Sequence, residues 1–288
     1  MISDLRERTV VITGGASGLG LAMAHRFGAE GANGVIADVE EDALDEAGAA
    51  LDAAGVAVLT VRTDVRDADQ VQALADAAAA HFGDVHVVCN NAGVVTSGPI
   101  EDTTLEQWRW VVDVNLWGVV HGCRAFLPLL TRHGQPAHVV NTASMAGLDS
   151  GPYMASYFAT KFAVVALTES LWHEQRLAGS AVGVSVLCPG FVRTRIAQAE
   201  RNRPDGVAGW LGGTSDAARG FAGMLTSSVE AGIDASDVAL LVRHAIATDR
   251  FYVLTHPEEA RVSVSERAAA IIDATAPRAR WLEALRPS

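Results

Sequence analysis

The sequence predicts an α/β fold built around a doubly wound parallel sheet, and three observations support that fold class. Short apolar runs alternate with alanine-rich helical stretches from the first residues to about residue 190. The runs are continuously apolar, as in strands that are buried on both faces of a sheet. A helical stretch follows each run, and right-handed crossovers of this kind place helices on both faces of a parallel sheet. We therefore expect the 288 residues to form a single domain over positions 1–288.

The individual strands and helices are predicted from apolar runs, turn residues and capping signals. The first strand is Thr9–Thr13, which is closed by glycines, and a helical pattern follows from Leu19 to Glu30. Asp67 is a favoured N-cap residue and marks the start of another helix. The remaining strands of this part are predicted at Val35–Asp38, Val56–Arg62, Val85–Cys89, Ala137–Thr142 and Val182–Cys188. The remaining helices are predicted at Glu40–Ala54, Asp67–His81, Leu105–Thr131 and Tyr153–Leu177.

Beyond residue 190 the regular alternation ends. The stretch 195–232, called the lid segment below, is rich in glycine, arginine and alanine and carries scattered large apolar residues. Insertions of this length in α/β folds are often lids or binding loops. Trp210, Phe221 and Met224 are candidates to cover an apolar ligand, or simply to anchor the loop. A helix at Ser236–Thr248 and a strand at Phe251–Leu254 restore the pattern, and a C-terminal helix and tail occupy about 256–288.

Composition and charge exclude several classes of protein. Apolar residues make up 49% of the chain and charged residues 19%, which suits a packed core and not a disordered chain. The formal net charge of -12 disfavours nucleic acid and anionic lipid as partners. No apolar stretch reaches the roughly 18 residues needed to span a bilayer. The charged start of the chain does not resemble a signal peptide, so we expect a soluble cytoplasmic protein.

Cysteine and histidine usage gives no sign of a disulfide framework or a metal site. The three cysteines, Cys89, Cys123 and Cys188, are widely spaced and odd in number, which fits a reducing compartment. The 9 histidines include no H-E-x-x-H motif and no ligand cluster. We therefore expect no bound metal.

A glycine-rich loop, Thr13–Gly20, lies between the first strand and the first helix. Its spacing is G-x-x-x-G-x-G instead of G-x-G-x-x-G, but the physical reason for glycine is the same. Residues without a Cβ atom allow a tight turn and let backbone N–H groups approach a pyrophosphate at the helix N-terminus. The position of the loop at the first strand–helix junction favours dinucleotide binding over a simple turn.

Asp38 ends the second strand, 18 residues after Gly20. A carboxylate at that position accepts hydrogen bonds from both hydroxyls of an adenosine ribose and repels a 2′-phosphate. No arginine or lysine flanks Asp38 in the sequence. NAD is therefore favoured over NADP, although Asp38 could instead cap the helix that follows.

The chain contains 21 arginines and one lysine, Lys161, which suggests a position where arginine does not suffice. Tyr157 precedes Lys161 by four residues, so both lie on one face of a helix. A tyrosine is a poor base at neutral pH, and a nearby cation stabilises the phenolate and lowers its pKa. The pair is therefore a candidate general acid–base system, although such pairs also occur on solvated helix faces. Tyr153 also lies four residues from Tyr157 but has no lysine partner.

Several motifs together resemble the short-chain dehydrogenase/reductase family, in its shorter, NAD-preferring branch. The similarity spans roughly residues 5–195 and is carried by Thr13–Gly20, Asn90–Gly93, Asn115, Ser144, Tyr157, Lys161 and Pro189–Gly190. The resemblance implies a Rossmann-type fold and reversible hydride transfer between NAD(H) and a secondary alcohol or ketone. It also implies a small-molecule substrate and a homo-oligomer, either a tetramer or a dimer.

The resemblance also implies a role for individual residues. Ser144 would hydrogen-bond the substrate oxygen, Tyr157 would exchange the proton, and Lys161 would lower the tyrosine pKa and hold the nicotinamide ribose. Asn115 would position a water in the proton relay, and Thr194 would orient the carboxamide. The implied cofactor contacts are Gly14, Ser17, Gly18, Leu19, Gly20, Asp38, Asp64, Val65, Asn91, Ala92, Gly93, Tyr157, Lys161, Pro189, Gly190, Val192 and Thr194.

Simpler structural roles remain open for some of these residues. Asn115 could cap or kink a long helix, Ser144 could belong to a strand-end turn, and Thr194 could cap a helix. The departures from the family pattern are mild. Ala143 stands where many relatives have a second serine, and Thr142 keeps a hydroxyl nearby.

Two other functions remain open at this point. One is a sensor or scaffold of the same fold that binds NAD without turnover, which would predict a broken catalytic set. The other is reduction of C=C or C=N bonds. The catalytic set is intact in this sequence, which favours carbonyl chemistry; its members are Asn115, Ser144, Tyr157 and Lys161.

Overall fold

The computed structural model describes residues 1–207, 209 and 215–277, and a seven-stranded parallel sheet lies at its centre. The strands are β1 (Thr9–Thr13), β2 (Asn33–Asp38), β3 (Val58–Arg62), β4 (Val85–Asn90), β5 (Ala137–Thr142), β6 (Val182–Cys188) and β7 (Tyr252–Leu254). Their order is β3-β2-β1-β4-β5-β6-β7, and every neighbouring pair is parallel. The chain winds outward from β1 to β3 and then returns to β4, which confirms the doubly wound fold class. Such a reversal opens a crevice above the carboxyl ends of β1 and β4.

Helices cover both faces of the sheet. They are α1 (Gly18–Gly28), α2 (Glu41–Ala53), α3 (Ala68–Phe82), α4 (Leu105–Val112), α5 (Gly118–Arg132), α6 (Ala155–Leu177), α7 (Asp216–Glu230), α8 (Ala235–Thr248) and α9 (Pro257–Ile272). One apolar core joins the sheet to α1, α2 and α8, and the other joins it to α3, α5 and α6. Phe27 and Phe126 are the largest fully buried side chains, one in each core. The Asp67 carboxylate caps α3 as predicted, because it accepts hydrogen bonds from the N–H groups of Asp69 and Gln70.

The helical run predicted at Leu105–Thr131 is interrupted. A π-helical turn, Asp113–Trp117, separates α4 from α5. Such a turn adds a residue to the helix and re-aims its side chains, and it is frequent at functional sites. Asn115 lies in this turn and is completely buried. The sequence pattern could not reveal the turn, because the apolar spacing continues through it.

The predicted start of the helix at Tyr153 is wrong by two residues. Tyr153 has a φ of +63°, in the left-handed region, and α6 begins only at Ala155. A non-glycine residue in this region is uncommon and ends the regular helix geometry. Tyr153 therefore does not share a helix face with Tyr157.

The lid segment contains more regular structure than its composition predicts. It begins with a short 3₁₀ segment, Ile196–Asn202, and ends in α7. Ser215 caps α7 by accepting a hydrogen bond from the N–H group of Ala218. Phe221 is buried and packs against Tyr153, with 5.5 Å between the ring centroids. Trp210, the remaining aromatic candidate of this segment, lies outside the described residues.

The expectation of one domain over 1–288 stays a prediction. Within 1–207, 209 and 215–277, no helix has both the length and the hydrophobicity that crossing a bilayer requires.

Candidate active site

The glycine loop has the tight geometry that its sequence predicts. Gly14 has a φ of +64°, and a Cβ atom there would lie 2.9 Å from the Cα atom of Ala92. A Cβ atom on Gly20 would lie 2.0 Å from the carbonyl oxygen of Gly14. Side chains at either position would therefore push the loop away from β4. Ser17, the N-cap residue of α1, makes no side-chain hydrogen bond to the first turn of the helix.

Side chains at the ends of three neighbouring strands hold this edge of the sheet together. The hydroxyl of Thr13 accepts hydrogen bonds from the N–H groups of Asn91 and Ala92 at 2.9 and 3.1 Å. The Asn91 amide donates to the Thr13 carbonyl oxygen at 3.0 Å, and Thr142 Oγ1 donates to Asn91 Oδ1 at 3.3 Å. These bonds connect the carboxyl ends of β1, β4 and β5. The floor of the crevice is therefore fixed before any ligand binds.

Asp38 faces the glycine loop from the end of β2. Its Oδ2 atom accepts a hydrogen bond from the N–H group of Ala16 at 3.1 Å, and Oδ1 accepts from Val39 and Glu40 at 2.8 and 3.2 Å. Burial raises the pKa of Asp38, and these three backbone hydrogen bonds oppose the rise. Asp38 thus does bind the backbone that leads into α2, and it also lines the cavity described next.

A first cavity of about 210 Å³ lies above the carboxyl ends of the central strands. Almost every predicted cofactor residue lines it. These residues are Gly14, Ser17, Gly18, Leu19, Asp38, Asp64, Val65, Asn91, Ala92, Gly93, Tyr157, Lys161, Pro189, Gly190, Val192 and Thr194. Gly20 does not line the cavity but packs behind Gly14, so it shapes the loop instead of contacting a ligand.

Two residues at the rim of the first cavity were not found by sequence reasoning. Arg201 and Asn202 come from the lid segment and both donate to the Glu40 carboxylate, at 2.8 and 2.9 Å. All three line the cavity beside Asp38. Glu40 and Arg201 are separated by 161 positions, so no local pattern could pair them. An arginine therefore does reach this end of the cavity, although none flanks Asp38 in the sequence.

Asp64 is held by an arginine close to it in sequence. Burial alone would raise its pKa, but the hydrogen bonds from Arg66 outweigh burial and lower the pKa below its usual value. The Asp64 N–H group donates to Gln70 Oε1 at 2.9 Å. Its carboxylate and its N–H group are thus both engaged within the protein.

Lys161 and Tyr157 both line the first cavity from α6. The Lys161 side chain is only 3% exposed, and its Nζ atom donates to the carbonyl oxygen of Thr142 at 2.9 Å. Burial lowers the pKa of Lys161 to about 8. Nζ lies 5.5 Å from the centroid of the Tyr157 ring. The sequence places these groups one helical turn apart, and the structure directs both to the same crevice.

The direction expected for the pKa of Tyr157 is not the one that the protein itself produces. Burial raises the pKa of Tyr157 above its ordinary value, and a hydrogen bond with Ser144 opposes the rise. The Lys161 ammonium is directed to the Thr142 carbonyl oxygen and not to the phenol. Desolvation of the phenolate therefore outweighs the effect of the cation.

Ser144 lies at the end of β5, in the turn that leads to the 3₁₀ segment Met145–Gly147. Its hydroxyl donates to the carbonyl oxygen of Pro189 at 3.3 Å and accepts from the N–H group of Ala146 at 3.1 Å. It is thus a turn residue and also the neighbour of the Tyr157 hydroxyl. This geometry is compatible with a structural role in the turn at the end of the strand and with a hydrogen bond to a substrate oxygen.

The Asn115 side chain is fully used within the protein. Oδ1 accepts from the N–H group of Val94 at 2.8 Å, and Nδ2 donates to the Val94 carbonyl oxygen at 2.9 Å and to Thr160 Oγ1 at 3.3 Å. These bonds connect the π-helical turn to α6 and to the loop after β4. The side chain therefore fixes the position of Val94, a cavity residue.

A second cavity, of about 560 Å³, adjoins the first. Ser144, Tyr157, Pro189, Gly190, Ile196 and Val229 line both cavities. The other large apolar side chains of the second cavity are Val95, Met145, Met154, Phe158, Phe191, Phe221, Met224 and Leu225. Phe221 and Met224, two candidates from the lid segment, thus contribute to its wall.

Comparison with known proteins identifies the family. A family model described as short chain dehydrogenase matches residues 8–205. This chain belongs to the short-chain dehydrogenase family. It is therefore an oxidoreductase of a family that uses nicotinamide dinucleotides.

Three relatives illustrate the similarity of this short-chain dehydrogenase to known proteins. The structure of a short-chain dehydrogenase/reductase from Burkholderia phymatum in complex with NAD is 44% identical, with a TM-score of 0.92 and coverage of 96% of this chain and 98% of that chain. The 1-deoxy-11-beta-hydroxypentalenate dehydrogenase of Streptomyces exfoliatus is 40% identical over 91% of this chain and 88% of its own length. The C alpha-dehydrogenase of a Sphingobium species is 33% identical over 96% of this chain and 89% of its own length.

Two arginines that flank Thr194 differ in their surroundings. Arg193 forms an ion pair with Asp234 at 3.1 Å and donates to the Gly232 carbonyl oxygen at 3.0 Å. Arg195 lines the first cavity of this short-chain dehydrogenase. Thr194 Oγ1 accepts from the N–H group of Ile196 at 3.4 Å, but the N-cap residue of the 3₁₀ segment Ile196–Asn202 is Arg195.

The three cysteines are free and buried. Among the residues described, no group of three or more histidine, cysteine or acidic side chains is arranged to hold a metal ion.

Proposed function

We propose that this chain oxidises a secondary alcohol, or reduces the corresponding ketone, with NAD as its cofactor. One observation carries the proposal: Ser144 and Tyr157 line both cavities. A dinucleotide in the first cavity and an alcohol in the second would therefore meet at these two hydroxyl groups. The polar residues there match the needs of proton transfer at a substrate oxygen.

The residues of the first cavity fit a dinucleotide. The glycine loop leaves no space for a Cβ atom at Gly14 or Gly20, which brings the backbone close to any ligand above it. The N-terminus of α1 follows directly and favours a pyrophosphate. Asp38 would hold the adenosine ribose, Lys161 the nicotinamide ribose and Thr194 the carboxamide. When bound, the nicotinamide takes up or supplies the hydride that the reaction requires.

Tyr157 would exchange the proton. In the oxidative direction its phenolate accepts the proton of the substrate hydroxyl, and in the reductive direction its phenol returns a proton to the carbonyl oxygen. Ser144 stabilises the charge that develops on the substrate oxygen by hydrogen bonding. The raised pKa of Tyr157 favours the protonated phenol, so we expect oxidation to accelerate as the pH increases.

Lys161 and Asn115 would support this proton transfer. The Lys161 ammonium is buried beneath the crevice, where it favours the phenolate once both groups contact a common ligand. The Asn115 side chain is occupied by Val94 and Thr160. A role for Asn115 in a water relay would therefore fall to its backbone carbonyl group, in a π-helical turn of the kind that is frequent at functional sites.

The rim of the first cavity supports NAD over NADP. Asp38 and Glu40 are both acidic and both line the cavity where a 2′-phosphate would have to bind. Arg201 is held by Glu40 through its Nε atom, at 2.8 Å. The NAD complex of the Burkholderia relative supports the same choice.

The dehydrogenase names of the Streptomyces and Sphingobium relatives support an alcohol substrate. We also propose a homo-oligomer, a tetramer or a dimer, located in the cytoplasm. Exposed apolar side chains on two helices, Leu105 on α4 and Leu177 on α6, are available for contacts between copies. The free cysteines suit a reducing compartment.

The proposal is tested with a panel of secondary alcohols, each assayed with NAD and with NADP by the absorbance of the reduced nicotinamide. We expect turnover of at least one bulky secondary alcohol and higher kcat/KM with NAD. Tight NAD binding without turnover of any alcohol or ketone would instead favour the sensor or scaffold. Turnover confined to imines or activated alkenes would favour the alternative reductase.

A further inference from the structure

The second cavity carries negative charge that no arginine or lysine among its described lining residues balances. This charge limits the substrates that the cavity accepts. Its walls are mostly apolar, and its volume of about 560 Å³ lies within the range of small-molecule sites. The substrate class inferred for this cavity rests on the proposed function, in which the reacting alcohol occupies the cavity with its oxygen at Ser144 and Tyr157.

Two carboxylates border the cavity away from the reacting end. Asp149 is half-buried and lies shortly after the 3₁₀ segment that follows Ser144. Glu259 lies in the first turn of α9. Neither forms an ion pair with another of the described residues. Their negative charges are therefore not neutralised within that part of the chain.

No arginine or lysine among the described residues lines this cavity. Positions 208 and 210–214, which belong to the lid segment, carry no charged side chain in the sequence. Cationic side chains line the first cavity instead, where Lys161 donates to the Thr142 carbonyl oxygen and Arg201 to the Glu40 carboxylate. Within the part of the chain that the structure describes, a substrate carboxylate in the second cavity would find no arginine or lysine to pair with, a costly arrangement in an apolar site.

His256 supplies a further polar group of this wall, beside the hydroxyls of Ser150 and Ser263. Its ring packs against Gly190, because a Cβ atom on that glycine would lie 2.5 Å from His256 Nδ1. Nδ1 lies 2.7 Å from Thr255 Oγ1, which accepts a hydrogen bond from the N–H group of Gly190 at 2.9 Å. These contacts fix the imidazole beside the cavity as a hydrogen-bonding group for a neutral substrate.

We infer that the substrate is a bulky, predominantly apolar secondary alcohol or ketone without a negative charge, and that Asp149 and Glu259 exclude carboxylate-bearing analogues. Both side chains are specificity determinants that act by electrostatic repulsion. Specificity of this kind needs only an unfavourable interaction with the rejected ligand. The name of the Streptomyces relative denotes a carboxylate, so a preference for acids would align this chain with that relative and overturn the inference.

The test compares two compounds that differ in charge, 4-(1-hydroxyethyl)benzoic acid and its methyl ester. The assay is run with NAD at about pH 8.5, where the carboxylic acid of the test compound is fully ionised. We expect kcat/KM for the ester to exceed that for the acid by roughly ten-fold at low salt. The double variant Asp149→Asn/Glu259→Gln should reduce this ratio at least three-fold, and added salt should reduce it in the wild-type chain.

The matched control is Glu258→Gln, which removes a neighbouring charge from the same turn of α9. Glu258 pairs with Arg261 at 3.0 Å and does not line the cavity. The ester-to-acid ratio should be the same in this variant as in the wild type. An equal ratio in the double variant and the control would overturn the inference, as would a wild-type preference for the acid.

Binding separates this inference from the proposed function. Calorimetric titration of ester and acid into the NADH-loaded protein measures charge selectivity without turnover, because the reduced cofactor cannot accept a hydride from the alcohol. Tighter binding of the ester, with no turnover of either compound, would support the charge inference and count against the proposed chemistry. Turnover with equal or tighter binding of the acid would do the reverse.

Discussion

The two cavities meet at Ser144 and Tyr157 but are built from different kinds of structure. The first is bounded largely by strand ends and backbone, with the glycine loop, Asp38 and Asn91 held by hydrogen bonds across the sheet edge. The second is bounded by side chains of α6, the lid segment and the start of α9. The common part of the reaction is therefore fixed in backbone geometry, whereas substrate choice depends on side chains that can change without altering the sheet.

The two cavities also differ in their polar groups. Polar side chains in the first cavity have specific partners, such as the Arg201 guanidinium on Glu40 and the Lys161 ammonium on Thr142. The carboxylates of the second cavity, Asp149 and Glu259, have no ion-pair partner among the described residues. The first arrangement suits a ligand of constant structure, and the second suits selection by size and charge.

The largest expected effect is at the junction of the cavities. Tyr157→Phe removes the proton-exchanging hydroxyl but keeps the ring that lines both sides. We expect kcat to fall by about 1000-fold with NADH affinity almost unchanged, measured by steady-state kinetics and fluorescence titration. Tyr153→Phe is the matched control, because Tyr153 lines neither cavity. Comparable turnover of the two variants would remove Tyr157 from the mechanism.

A pair of glycine substitutions contrasts the backbone-built region with the lid segment. In Gly20→Ala the new Cβ atom would lie 2.0 Å from the Gly14 carbonyl oxygen, so we expect about 3 kcal/mol loss of unfolding free energy and weak NAD binding. Gly223 lies exposed in α7 with no heavy atom within 4 Å of a Cβ atom. Gly223→Ala should therefore stabilise the protein by about 0.5–1 kcal/mol. Urea unfolding measures the unfolding free energy of each variant, and calorimetric titration measures its affinity for NAD. Equal effects of the two substitutions would contradict this prediction.

Lys161→Met tests whether the buried amine of Lys161 lowers the stability of the fold while it supports turnover. The wild-type amine is buried, and burial lowers its pKa to about 8, so below that pH the folded state carries a destabilising buried charge. We expect the variant to lose turnover but to gain about 1–3 kcal/mol of unfolding free energy at pH 7.

The gain in unfolding free energy expected for Lys161→Met should decrease as the pH rises. The folded-state pKa of Lys161 is lower than its ordinary value, so the unfolded chain binds the proton more tightly. The destabilisation is complete below about pH 8 and diminishes as the pH rises towards the ordinary lysine value. The difference between variant and wild type should therefore shrink between about pH 8 and pH 10 in urea unfolding. A difference that grows with pH would show that the ammonium stabilises the fold.

The smallest expected effect concerns the rim. Glu40 holds Arg201 and Asn202 of the lid segment across the edge of the first cavity, so Glu40→Ala should accelerate NADH dissociation by about three- to ten-fold. Glu41→Ala is the control, because Glu41 is exposed and lies 3.9 Å from Arg62. Stopped-flow fluorescence of NADH measures both rates. Identical dissociation rates in the two variants would show that the rim contact does not retain the cofactor.

Much of the first cavity could be predicted because its residues follow local rules. A strand end, a glycine loop and a helix start are adjacent in sequence, so the amino-acid pattern alone suffices to assign Gly14 and Asp38. Other features depend on contacts between distant segments. The pairing of Glu40 with Arg201 and the backbone contacts of Asn115 with Val94 leave no periodic signal. The direction of the Tyr157 pKa was also missed, because burial depends on everything packed around the phenol.

The doubly wound sheet, the dinucleotide loop and the helical turn that joins Tyr157 to Lys161 can all be predicted from the amino-acid sequence. These follow from hydrophobic periodicity, from glycine stereochemistry and from the 3.6-residue repeat of a helix, all of which act over short distances along the chain. The side chains of the lid segment and of α9 that border the second cavity, and the charge that they give it, depend on the tertiary structure. Desolvation and ion pairing are set by neighbours in space, and those neighbours come from parts of the chain that no local pattern connects.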